Sequence, residues 1–133
     1  MRVAYTRVSE GAFPWLPLLR VSVRGPAGAL AIQMLVDSGS METTLPESVL
    51  DQIGVVPTKE QCELVGVANQ RLVGNVVEVE MVVANTRYVS RAISVPDELS
   101  TVPILGHRDF FLNFWVALDS MNRSFQVSPA RRR

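Results

Sequence analysis

Asp37 is the residue best placed to do chemistry. It closes the apolar run Ala31-Ile32-Gln33-Met34-Leu35-Val36 and is followed at once by Ser38, Gly39 and Ser40. A carboxylate can take a proton from water, and a carboxylic acid can give one to a carbonyl oxygen. Asp-Ser-Gly is also ordinary turn chemistry. Average composition yields an Asp-(Ser/Thr)-Gly triplet in roughly one chain of this length in twenty, so the triplet alone is weak. Its position is more specific, because here the carboxylate emerges from a buried-looking strand and not from a polar loop.

Little else in the chain offers chemistry. His107 is the single histidine, which excludes a multi-histidine metal site. Its place beside a helix-like segment suits a structural hydrogen bond better than catalysis. Cys62 is the single cysteine, so no intrachain disulfide forms, and a reducing, cytoplasmic setting is expected. In "EQCELVGV" it reads as a small hydrophobe in a strand. No zinc spacing, Walker loop or GxGxxG is present, and no cofactor or metal is expected.

The elements that must position Asp37 read mostly with period two. Leu19, Val21 and Val23 alternate with Arg20, Ser22 and Arg24, while Val77, Val79, Met81 and Val83 alternate with polar neighbours such as Glu78 and Glu80. Strands are expected near 2–8, 15–24, 29–36, 60–67, 71–84, 87–95, 114–119 and 123–128. Turn residues separate them, as in Gly25-Pro26-Ala27-Gly28. Short helices are expected near 46–53, opening at Pro46 and stopping at Gly54, and near 107–113, burying Phe110, Phe111 and Phe114.

The 133 residues suffice for one core; 47 % are hydrophobic and 20 % charged, and the net charge is zero. Neutrality gives no general case for nucleic acid, and no apolar run is near membrane-spanning length. Residues 1–128 are expected to form one all-β domain, a closed or rolled barrel, with 129–133 as a basic tail.

Downstream, Ile104, Leu105 and Gly106 precede a short helical pattern and another strand. A strand ending on Asp37-Ser38-Gly39, a later apolar pair plus glycine, and hairpins between them resemble the retropepsin-like aspartic proteases. The resemblance is to their single-domain bacterial members in particular and covers roughly residues 15 to 128.

That resemblance implies hydrolysis of peptide bonds by a water activated between two Asp37 carboxyls. Two such groups held close cannot both ionise easily and share a proton. Asp51, Asp97, Asp109 and Asp119 all lack a following Ser/Thr-Gly. A second half must therefore come from a homodimer, with peptide or protein as the further partner. By the same resemblance the Ser38 hydroxyl bonds across the dimer axis, and Gly39 lets backbone N–H groups orient the carboxylate. Ser40 donates a further bond to Asp37. Ile104-Leu105-Gly106 is the structural loop behind the site. Gly66, Val67, Ala68, Asn69 and Gln70 form the tip of a substrate-covering flap, although the tip lacks the glycines of retroviral flaps and an ordinary hairpin also accounts for it. Arg108 pairs with a carboxylate near the site or is simply solvated. The terminal strands, around 2–8 and 124–128, pair across subunits. The alternative function is a peptide-binding or dimerisation module that keeps the fold without efficient turnover.

Overall fold

The computed structural model describes residues 1–8, 14–99 and 102–131. The first strands are β1 (Arg2–Ala4), β2 (Thr6–Arg7), β3 (Trp15–Leu16), β4 (Leu18–Gly25) and β5 (Gly28–Val36). β6 (Thr43–Pro46) leads into α1 (Glu47–Ile53). Then follow β7 (Gln61–Val65), β8 (Arg71–Val83), β9 (Thr86–Val95), β10 (Ile104–Leu105), β11 (Phe114–Asp119) and β12 (Ser124–Pro129).

The period-two pattern is what buries these strands. Leu19, Val21 and Val23 face the core while Arg20 is exposed, and Val77, Val79, Met81 and Val83 do the same on β8. The expected strand at 15–24 is interrupted at Pro17, which has no N–H for a ladder. Its carbonyl instead accepts from the N–H of Val36 at 3.0 Å, beside the base of the Asp37 loop.

Seven strands form one sheet in the order β4-β5-β10-β6-β9-β8-β7, and β8 also pairs with β4. Hydrogen bonding therefore runs from β4 around to β8 and back, rolling the sheet over its core. The expectation of a mainly β chain is met. Helix is confined to short pieces, of which α1 is the regular one. Pro46 opens it without a side-chain cap, and the Asp97 carboxylate accepts from Ser48 N–H at 3.0 Å instead. Ser48, through its side chain first and its backbone N–H second, holds the Asp97 carboxyl below its ordinary range. Gly54 stops the helix in the left-handed region at φ 75°.

The helix expected near 107–113 is not regular. His107–Phe111 is one wide turn, broken at Arg108 (ψ 124°) and at Asp109 (φ 69°, ψ −52°). Asp109 is fixed there by its carboxylate, which accepts from Arg91 N–H at 2.5 Å, and by its carbonyl, which accepts from Asn113 Nδ2. The turn still buries Phe110 and Phe114, which stack at 5.2 Å, whereas Phe111 is half-buried.

A separate three-stranded sheet has the order β1-β12-β11. The termini were expected to pair across subunits, but β1 pairs with β12 of the same chain, with Val3 opposite Phe125. An intrachain partner satisfies the same backbone groups without the entropic cost of association. β12 runs on to Pro129, and Ala130 N–H donates to Asn113 O at 2.8 Å, so the basic tail begins later than residue 129. Arg132 and Arg133 lie outside the described residues. Among the described residues no helix is long and apolar enough to cross a membrane.

Candidate active site

β5 delivers Asp37 to the surface. Its neighbour β10 lies parallel to it, with Ile104 opposite Leu35 and Leu105 opposite Val36. On its other side β10 pairs with β6, so two residues of chain fill the gap between the strands on either side of the Asp37 loop. Asp37 N–H donates to Leu105 O at 3.1 Å, and Ser40 N–H donates to Asp37 O at 3.2 Å, closing a tight turn. Gly39 N–H donates to Asp37 Oδ1 at 2.9 Å and aims the carboxylate. Asp37 is half-buried, while Ser38 and Gly39 are exposed in the single chain.

Gly106 is the pivot of the crossing. A Cβ there would lie 2.3 Å from Glu42 O and 2.9 Å from Ser40 O, so only glycine lets the two segments pass. Its N–H donates to Thr43 Oγ1 at 3.2 Å, in a fully buried position. The next two N–H groups, of His107 and Arg108, donate to Ser40 O and Met41 O, each at 2.8 Å. The Asp37 loop is thus hydrogen-bonded along its length from behind.

Ser40 does not donate to the Asp37 carboxylate as expected. Its Oγ–H donates to Glu42 O at 2.8 Å, because the turn points the side chain along the loop and away from Asp37. Arg108 does find a carboxylate, with its Nε 3.3 Å from Glu42 Oε2. Arg91 NH1 lies 3.7 Å from the same oxygen, and Arg91 NH2 is 2.7 Å from Glu60 Oε1. Glu42 Oε2 and Arg91 NH1 are close by charge but not aligned as a hydrogen bond. This cluster braces the loop from the side. The Glu42 and Arg91 roles were missed in the sequence, where they are far apart; the one signal was an acidic residue following the Asp37 turn. Thr43 was visible as half of a threonine pair but carried no assigned role.

Cys62 approaches the cluster, its Sγ 3.9 Å from Glu42 Oε1. Burial, and then the Glu42 carboxylate, raise the thiol above its ordinary range, which makes it a poor nucleophile. Gly66 to Gln70 connect β7 to β8, with Val65 opposite Arg71 and Gly66 N–H donating to Gln70 O at 2.8 Å. Ala68 and Asn69 both adopt positive φ, near 59° and 58°. The connection is an exposed hairpin tip, built without glycine where glycine would be unstrained. Among the described residues no three His, Cys, Asp or Glu side chains gather as a metal site.

The family profile described as aspartyl protease matches residues 19–107, a span that runs from β4 through the Asp37 loop to the Gly106 crossing. The chain belongs to the aspartyl protease family. Among solved structures it is similar to EIAV protease complexed with an inhibitor. That match has a TM-score of 0.55 at 17 % identity, and covers 74 % of this chain and 88 % of that one. At such low identity the likeness carries the fold, which is retropepsin-like. No curated protein sequence matches the chain. The matched span contains both the Asp37 turn and the Ile104-Leu105-Gly106 crossing.

Proposed function

We propose that the protein is a homodimeric aspartic endopeptidase that hydrolyses peptide bonds with a water activated between two Asp37 carboxyls. The observation that carries this is the Asp37 carboxylate itself, aimed by Gly39 N–H and backed by β10 at an exposed turn. One chain supplies one such carboxyl, and the reaction needs a base and an acid, so the site is complete only with a second copy. Exposure of Ser38 and Gly39 supports a partner covering this face, where the Ser38 hydroxyl bonds across the axis. The hairpin tip at Gly66–Gln70 covers the substrate. Substrates are extended peptides with apolar side chains at the cut, and the single cysteine suits a cytoplasmic setting.

In the proton-sharing pair one carboxylate takes a proton from the water as it attacks the scissile carbonyl carbon. The partner carboxylic acid gives its proton to the carbonyl oxygen. The tetrahedral species then collapses, breaking the C–N bond as the amine nitrogen is protonated. The test is hydrolysis of a randomised peptide library between about pH 4 and 7 by the parent and by Asp37→Asn. The amide keeps the shape of the carboxylate but cannot accept the proton, so cleavage is lost while fold and dimer persist. Equal activity in the two proteins would remove Asp37 from the mechanism. Inactivity of both, with dimers intact, favours the peptide-binding module.

A further inference from the structure

The Ser38 carbonyl and the Gly39 N–H belong to one peptide group. Its N–H donates to Asp37 Oδ1 at 2.9 Å. Its oxygen lies 2.6 Å from His107 Nε2. A carbonyl only accepts, so the ring carries a proton on Nε2 and donates it. The two bonds form a chain from imidazole through one amide to the carboxylate.

We infer that His107 is a positioning residue for Asp37, acting through the Ser38–Gly39 peptide group. The catalytic meaning of this coupling rests on the reading of Asp37 as a protease base; the coupling itself does not. Donation to the carbonyl draws electron density across the amide and makes its N–H a stronger donor to the carboxylate. It also fixes the peptide plane, and with it the direction of that N–H. The ring is held for this purpose. His107 N–H donates to Ser40 O at 2.8 Å, and the imidazole lies on Phe111 with centroids 4.9 Å apart and planes 30° apart.

The charged residues that follow His107 in the chain are engaged elsewhere. Arg108, next in the chain, is turned to Glu42, which also faces Arg91. The Asp109 carboxylate accepts from Arg91 N–H. Protonation of the ring makes the donor cationic and its bond to Ser38 O charge-assisted. The coupling is therefore stronger from the cationic ring than from the neutral one.

The experiment follows the Gly39 amide proton and the Asp37 carboxyl carbon by NMR against pH in the whole protein, its His107→Phe variant and its His107→Gln variant. In the parent, the Gly39 resonance steps together with the imidazole. Phe removes the donor, so the step disappears and the Asp37 carboxyl carbon signal moves from its parent position. Gln keeps a neutral donor, so Gly39 stays at low field without the step; this variant decides the matter if Phe unfolds the chain. A Gly39 step that persists in His107→Gln overturns the inference. In an active parent, His107→Phe lowers kcat about fivefold, the rate equivalent of one hydrogen bond, and Gln restores it near neutral pH. An unchanged kcat and pH profile in His107→Phe also overturns the inference. If the parent cuts no peptide but the NMR coupling is present, the protease reading fails and the inference stands.

Discussion

At the scale of the residue, Ser38 is in an unusual position. It belongs to the tightest part of the turn, its carbonyl is bonded, yet the residue is exposed in the single chain. If the second copy covers it, Ser38→Ala spares the protomer and weakens the dimer. Two hydrogen bonds are lost per dimer, each worth about 1 kcal/mol, which raises the dissociation constant roughly thirtyfold. Sedimentation across a concentration series measures this, with the protomer melting temperature as the control. Dimerisation as tight as in the parent would take the hydroxyl off the axis. The Asp37-Ser38-Gly39 turn at the end of a buried strand was legible in the sequence because its residues are contiguous. The Ser40 bond was misread and the Glu42–Arg91 brace unseen for the opposite reason. Both depend on side-chain direction in a turn that no periodicity describes.

At the scale of the element, the site depends on how β10 crosses behind the loop. Gly106→Ala brings a Cβ against the Glu42 and Ser40 carbonyl oxygens, and these are backbone atoms that no rotamer change can move. The expected cost is about 1–3 kcal/mol, as for overpacking elsewhere, and the strain falls on the segment that carries Asp37. Urea unfolding of the variant should show a lower midpoint at an unchanged slope. Parent-like stability would mean that the loop has room to shift. The long strands β4 and β8 were legible because alternation over many residues leaves little ambiguity, and β5 because an apolar run leads into Asp37. β6 and β10, with four residues and two, are too short to show a period. The segment after Gly106 looked helical because Phe110 and Phe114 are spaced by four. The tertiary bonds to Asp109 then override the local tendency and widen the turn.

At the scale of the whole molecule, the question is what a single chain leaves unfinished. The termini are paired within the chain, so the terminal sheet does not by itself demand a partner. The face around the Asp37 turn is different: Met41 is 66 % exposed and Leu112 74 % exposed, and both line a shallow hollow with His107, Arg108 and Phe111. Apolar side chains grouped beside a half-site are the kind of surface that association covers. Facing like charges oppose this, because bringing two Asp37 carboxylates together is unfavourable unless the pair holds a proton. Association should therefore tighten as the pH falls toward the range where one proton is shared, and loosen toward neutral pH. Asp37→Asn removes both charges, so its dimer should hold near neutral pH and lose this dependence. Activity of the parent, measured below the dissociation constant, should rise with the square of protein concentration. Sedimentation of parent and Asp37→Asn at several pH values, alongside peptide hydrolysis over the same concentrations, tests all of this together. Hydrolysis strictly first order in protein, with monomer alone in the sedimentation profile, would mean that one chain carries a complete site, and the two-carboxyl mechanism would have to be abandoned.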